Sequence, residues 1–233
     1  MKRALVSILF GCLALGLSSF AIAGNNSQAA IAVHIGTGTA KDICNSAGSP
    51  TAATVVSEVA DGDCSAGYYN LYILVCNGSS VGGFEPEGSG IAGLEFGIQY
   101  DPSLSLGNSE VCGDLLFPSL NWPDSGEGAI ITWDPVGNCQ STPSEPFVPN
   151  TTVAVAMGFE VFTTAPGAFQ ITPRPVTGFA KVSDCNAAED NITGLVPSHL
   201  GVGGFCGTGY NPCGLPTPVE ESTWGAIKQQ FSN

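Results

Sequence analysis

From residue 91 to residue 100, Ala92, Leu94, Phe96, Ile98 and Tyr100 alternate with Gly93, Glu95, Gly97 and Gln99. A period of two with one apolar face predicts a strand packed against a core on one side. Asp101-Pro102 ends it, because proline removes a ladder donor, and Leu104 to Gly107 follows as a short strand. The best periodicity in the chain runs from Thr151 to Thr164. Val153, Val155, Met157, Phe159 and Val161 are expected on one face, with Ala154, Ala156, Gly158, Glu160 and Phe162 on the other. Ala30 to Gly36, Tyr68 to Cys76, Ala129 to Trp133, Ala168 to Thr172 and Phe179 to Val182 also read as short strands, rich in apolar or β-branched residues. Leu115 to Gly128 reads as a loop, and the pattern fades into a glycine-rich loop between Cys185 and Cys213. Roughly eight short strands, no internal helix and no fixed-period repeat predict an all-β antiparallel sandwich.

The two ends depart from this pattern. Lys2 and Arg3 precede an apolar run from Ala4 to Phe20, and Ala21-Ile22-Ala23 supplies small residues where a signal peptidase reads. Residues 1–23 are therefore expected to be a cleaved secretory signal, with Gly24 as the new N-terminus. The rival readings are a membrane anchor, for which the run is near the lower length limit, and lipidation at Cys12, where Phe10 is bulky. No later stretch is long and apolar enough to span a membrane as a helix. At the other end, Leu215-Pro216-Thr217-Pro218 reads as a stiff linker, and Glu220 to Phe231 as a short helix. Trp224, Ile227 and Phe231 fall on one face of that helix, either packed on the sandwich or free to dock elsewhere. The domain is thus bounded at 24–214, with 215–233 as linker and tail.

Cysteine and charge narrow the function. Eight cysteines remain after the signal: Cys44, Cys64, Cys76, Cys112, Cys139, Cys185, Cys206 and Cys213. An even set in an exported chain reads as a disulfide framework. Cys112 with Cys139, and Cys185 with Cys206 or Cys213, are the local pairings expected. Zinc is the competitor, but no C-x-x-C spacing occurs and only His34 and His199 could join. Beyond the signal, Lys41, Arg174, Lys181 and Lys228 face 20 acidic side chains, a net charge of −16. That balance argues against nucleic acid or an anionic membrane surface as a partner.

The segment Gly90-Ile91-Ala92-Gly93-Leu94-Glu95-Phe96-Gly97-Ile98-Gln99-Tyr100-Asp101-Pro102-Ser103-Leu104 resembles a strand pair of cohesin-like domains, and Val153 to Val161 resembles their long core strand. The resemblance implies a nine-stranded jelly-roll sandwich, an extracellular setting and a non-catalytic binding or scaffold role. The eight cysteines depart from that family's pattern. Thr223-Trp224-Gly225-Ala226-Ile227-Lys228 resembles the short endings of some bacterial secreted proteins with modular surface architectures. The expectation is a disulfide-stapled sandwich, jelly-roll or immunoglobulin-like, of eight to nine strands with a short helical tail.

Candidate chemistry is sparse. There is no G-x-S-x-G elbow, His34 sits in an apolar strand and His199 in a loop, so nucleophilic catalysis is poorly supported. Glu95, Asp101, Glu127 and Glu160 lie nearest strands, as the carboxylates a glycoside hydrolase would need. Asp61-Gly62-Asp63 and Glu189-Asp190-Asn191 place oxygen ligands in loops, as calcium would require, though neither matches an EF-hand; solvated acidic turns are the favoured reading. Trp122, in a glycine-rich loop, and the adjacent Tyr68 and Tyr69 are the aromatic candidates for stacking on a glycan. The favoured alternative has Trp122 plugging its loop onto the sandwich near a Cys112–Cys139 bridge. The leading expectation is an exported non-enzymatic module at the cell surface, outside the cell or in the periplasm, binding a glycan or an extracellular protein. A structural component of an extracellular layer and a small glycoside hydrolase are the alternatives.

Overall fold

A computed structural model describes residues 24–36, 42–44, 67–79, 90–142, 151–165, 167–193, 199–202 and 212–213. Eleven strands form among them, in chain order β1 (Ala30–Gly36), β2 (Gly67–Ser79), β3 (Gly93–Tyr100), β4 (Leu104–Val111), β5 (Leu115–Pro118), β6 (Gly128–Thr132), β7 (Thr151–Thr163), β8 (Gly167–Thr172), β9 (Lys181–Ser183), β10 (Glu189–Asn191) and β11 (His199–Val202). They make two antiparallel sheets packed face to face. The first has the order β1-β2-β7-β4; the second runs β10-β9-β3-β6-β5, with β8 joined to β3 and β11 to β8.

The core lies between the sheets and is built by alternation. Ile31, Val33 and Ile35 of β1 and Leu71, Ile73 and Val75 of β2 face Leu94, Phe96 and Ile98 of β3, Ile131 of β6 and Phe169 and Ile171 of β8. Fully burying each such side chain contributes about 1.5–3 kcal/mol.

The long strand β7 departs from the expected facing. Its pairing with β2 slips between Ile73 and Leu74, which are partnered by Met157 and Val155, leaving Ala156 as the extra residue of a bulge. One extra residue reverses the alternation. Met157, Phe159 and Val161 reach the core as expected, but beyond the bulge Ala154 and Ala156 do so instead of Val153 and Val155.

The first sheet is also covered on its outer face. Ala30, Ala32, Leu74 and Cys76 form a second buried cluster with Cys213, and Val153 packs against it. Further along that face, Tyr72 donates its hydroxyl hydrogen to the Ile43 carbonyl at 3.1 Å. Gly158 makes room there, since a Cβ on it would stand 3.3 Å from the Tyr72 ring and collide with Ile43.

Among the described residues three disulfides join distant segments: Cys44–Cys112, Cys76–Cys213 and Cys139–Cys185, with sequence separations of 68, 137 and 46. The expected local pairings of Cys112 with Cys139, and of Cys185 with Cys206 or Cys213, are thereby corrected. Cys112 follows β4 at the edge of the first sheet, where the Ile43–Cys44 segment is held by the Glu110 carboxylate, which accepts the Cys44 N–H at 3.2 Å. Cys139 instead precedes the Gln140–Ile91 bridge and lies beside Cys185 at the end of the second sheet. Cys64 and Cys206 fall outside the described residues, as do Asp61, Asp63 and the tail bearing Trp224, Ile227 and Phe231.

Candidate functional site

On the outer face of the second sheet the described residues leave the β5 edge exposed. The alternation that sends Leu116, Ile131, Leu94 and Val182 inward leaves Leu115 and Phe117 of β5, Thr132 and Ile130 of β6, Gly93, Glu95 and Gly97 of β3 and Lys181 and Ser183 of β9 on the outside. Leu115 and Phe117 are 57% and 51% exposed, large apolar groups side by side on an edge strand. The floor beside them is low. A Cβ on Gly93 would stand 2.7 Å from Ser183 Oγ, and one on Gly128 would stand 2.7 Å from Arg174 Cγ and 3.2 Å from Pro175 Cδ. Glycine at these positions lets Ser183 and the Arg174–Phe179 turn lie flat on the sheet.

Charge on this face is paired. Glu95 accepts a hydrogen bond from Thr177 Oγ1 at 2.6 Å and faces Arg174 Nη1 at 3.5 Å. Lys181 Nζ lies 2.8 Å from Glu189 Oε2 and 5.5 Å from the centre of the Phe179 ring. The hydrogen bond to Glu189 holds the Lys181 ammonium above its ordinary pKa. Arg174 and Lys181 are the only Lys or Arg side chains among the described residues, and both are here.

At one end the face deepens into an open cleft of about 690 Å³ between Leu115, Thr132, Asp134, Ser183, Asp184 and Ala187. The Asp134 carboxylate accepts N–H bonds from Gly137 at 3.0 Å and Val136 at 2.8 Å, and these hold it below the usual carboxylate range.

The residues singled out from sequence are scattered. Trp122 does not offer a free platform. Its ring meets the edge of Phe96 at 5.7 Å and lies 6.1 Å from Phe159, closing one end of the core, with no bridge between Cys112 and Cys139 beside it. Tyr69 is in the core, whereas its neighbour Tyr68 is 65% exposed and its ring lies 4.6 Å from that of Phe162, tilted by 35°, on the outer face of the first sheet. Glu189 and Asp190 are on strand β10 and not in a loop, and there successive side chains point to opposite faces. Glu189 pairs with Lys181, and Asp190 accepts the Asn26 N–H at 2.7 Å, so the two carboxylates do not converge. Among the described residues no three His, Cys, Asp or Glu side chains converge as a metal would need.

His199 belongs to strand β11, paired with Gln170 of β8, and not to a loop. His34 is 1% exposed on β1, and burial lowers its pKa to about 4, so it stays neutral. Of the strand carboxylates, Asp101 accepts the Ala168 N–H at 2.8 Å, Glu127 bonds Ser119 and Asn121, and Glu160 accepts from Asn108 at 2.8 Å. Glu95 and Glu160 lie on the outer faces of opposite sheets. Stacked sheets are about 10 Å apart, beyond the roughly 5–9.5 Å that a glycosidase pair requires.

Leu115 and Phe117 were missed because Leu115–Gly128 reads as loop. The signal was the apolar tetrapeptide Leu115-Leu116-Phe117-Pro118 between Gly113-Asp114 and the Ser119–Glu127 turns.

No family model matches the chain, and no curated protein matches it. Among solved structures it is similar to a cohesin module from a family 33 glycoside hydrolase of Clostridium perfringens, at 11% identity over 61% of this chain and 88% of that one, with a TM-score of 0.37. A non-cellulosomal cohesin from the archaeon Archaeoglobus fulgidus is similar at 6% identity over 61% and 87%, with a TM-score of 0.38. The third cohesin of ScaC from Acetivibrio cellulolyticus, solved with the ScaB dockerin, is similar at 14% identity over 59% and 89%, with a TM-score of 0.36.

Proposed function

We propose that this chain is an exported, non-catalytic module that binds a protein partner on the outer face of its second sheet. The observation that carries the reading is the pairing of exposed Leu115 and Phe117 with a glycine-floored sheet and with the only two basic side chains described. Exposed apolar anchors on one edge with charged groups on the other suit a protein interface, whose energy concentrates in a few large side chains. The partner suited to it presents an apolar stripe for Leu115 and Phe117 flanked by charges of both signs, to meet the Lys181–Glu189 pair. The three disulfides among the described residues support export, since such bridges are typical of oxidising compartments.

The test is site-specific photo-crosslinking in the producing cells. A photoreactive residue at Phe117 is expected to give one discrete protein adduct, and the same residue at Tyr68 none. Adding Lys181→Glu is expected to reduce the Phe117 adduct at least several-fold. No adduct from Phe117, or the same adducts from both positions, would refute the reading.

A specific observation also favours a second reading, glycan binding on the opposite sheet. The tilted Tyr68–Phe162 pair is exposed beside the Glu160–Asn108 hydrogen bond, which puts aromatic rings next to polar groups. Binding of a polysaccharide panel, with calcium and with chelator, that is lost in Tyr68→Ala would support it.

A further inference from the structure

The segment just after the expected cleavage point is anchored against two buried carboxylates. Asp184 is 2% exposed and Asp190 8%. The Asn26 N–H donates to Asp190 Oδ2 at 2.7 Å, and Asn25 Nδ2 donates to Asp184 Oδ2 at 3.3 Å. Asn26 is itself locked, donating to the Gly90 carbonyl at 2.8 Å and accepting the Ser79 N–H at 2.9 Å. Gly24 closes this turn, its carbonyl accepting the Ser27 N–H at 3.1 Å. A Cβ on Gly24 would stand 2.5 Å from Asp190 Oδ2 and 2.7 Å from Asp190 Cγ, so the Gly24 Cα abuts the carboxylate and a side chain there would collide with it. The Gly24 nitrogen is bonded to that Cα at about 1.5 Å, which puts it within about 5 Å of the same carboxylate.

Neither Asp184 nor Asp190 has a cationic partner among the described residues. The two basic side chains there pair with Glu95 and Glu189 instead. A buried carboxylate left without a counter-charge costs several kcal/mol.

We propose that processing supplies the missing cation. Hydrolysis of the Ala23–Gly24 peptide bond consumes one water, leaves a carboxylate on Ala23 and frees an amine on Gly24 that takes up a proton. The resulting ammonium pairs with Asp190, whose carboxylate lies against Gly24, whereas Asp184 is already held by the Asn186 and Ala188 N–H groups at 2.9 Å. Export thus completes the fold by an ionic latch between the new N-terminus and β10. The latch does not depend on which partner the module binds. It also accounts for glycine at position 24, the one residue that lets the chain end lie against the carboxylate.

The sign of the pH dependence follows from the charge pair. The amine's pKa, about 7.7–8.0 in an unfolded chain, is raised by the Asp190 carboxylate. Its contribution is therefore complete below about pH 7.7 and is lost as pH rises through the higher folded value.

The experiment compares oxidised protein beginning at Gly24 with protein beginning at Ala23, one residue longer. At pH 6.5 the Gly24 form is expected to melt about 5–10 °C higher, and the gap to close by pH 10. Asp190→Asn in both forms is expected to abolish the gap. Equal melting of the two parent forms at pH 6.5, or a gap that survives either pH 10 or Asp190→Asn, would overturn the latch. Should Asp190→Asn fail to fold, an NMR titration of 15N-labelled Gly24 decides: an amine pKa above 8 supports the pair, and one at or below 8 overturns it. Mass spectrometry of the exported protein is expected to show Gly24 first, and a start elsewhere also overturns it.

Discussion

His34 should make this protein lose stability as pH falls from about 6.5 to about 4. The side chain is on the outer face of β1, opposite Tyr72 in the register, with the two rings 6.1 Å apart. Burial lowers its pKa from 6.5 to about 4. The unfolded chain therefore takes up a proton near pH 6.5 that the folded chain refuses until about pH 4. The associated stability is complete above pH 6.5 and is lost progressively as pH falls to about 4. At about 1.36 kcal/mol per pKa unit, the loss over this window is about 3 kcal/mol, a large share of a typical domain's 5–15 kcal/mol. The assay is urea unfolding of the oxidised protein at half-unit steps from pH 8 to pH 4, alongside His34→Gln. The substitution should lower stability at pH 8 and flatten the dependence between pH 6.5 and 4, so that the two curves converge in acid. Curves that stay parallel across that window would refute the argument, because groups other than His34 contribute equally to both proteins.

Two further perturbations probe the cover on the first sheet. Gly158→Ala sets a methyl group against Ile43 and 3.3 Å from the Tyr72 ring, and should cost about 1–3 kcal/mol in urea unfolding; unchanged stability would mean that the cover yields freely. Replacing both Cys76 and Cys213 by serine opens a link of sequence separation 137, worth about 5 kcal/mol on chain entropy, against about 4 kcal/mol for Cys139 and Cys185 at separation 46. The Cys76/Cys213 double variant should thus be the less stable of the two in denaturant, and the reverse order would show that local packing outweighs chain entropy.

Strands were legible where apolar residues alternate with glycine or polar ones, as in β3, and where a short apolar run stands between turn residues, as in β1, bounded correctly at Ala30–Gly36. Strand β2 reads as a nearly unbroken apolar run because the cover on its sheet buries Tyr72, Leu74 and Cys76 as well as Leu71, Ile73 and Val75. The β7 bulge was hidden, because Val153 and Val155 continue the apparent register that the extra Ala156 breaks. Disulfide pairing was equally out of reach, since each observed bridge is set by which segment lies over which sheet edge and not by sequence distance. Short strands left too little pattern to read: β10 is three residues and β5 is four. The candidate site suffered most from this, because its two apolar anchors are both on β5. Trp122 read two ways in sequence, as a ligand platform and, as the favoured reading, as a plug onto the sandwich; its ring lies against Phe96 and Phe159.

The asymmetry between the sheets bears on what kind of ligand the chain can take. The first sheet spends its outer face on a second buried layer, with Cys44–Cys112 and Cys76–Cys213 tying the cover down at Ile43 and at Cys213. Among the described residues the second sheet carries no such layer over Leu115 and Phe117, while Ser183 and the Arg174–Phe179 turn lie on its glycine floor. Its one described disulfide, Cys139–Cys185, sits at the end of the face beside the cleft. Over Gly93, Glu95 and Ile130 the face holds a depression of about 110 Å³, too small for a ligand of ordinary size, and the cleft of about 690 Å³ beside Leu115 at its end is open and not enclosing. A flat face with apolar groups on one edge and paired charges on the other gains little from a small ligand. It gains most from a broad surface that covers both at once, which is why the protein-partner reading leads and why Phe117, at the centre of the apolar edge, is the position to probe.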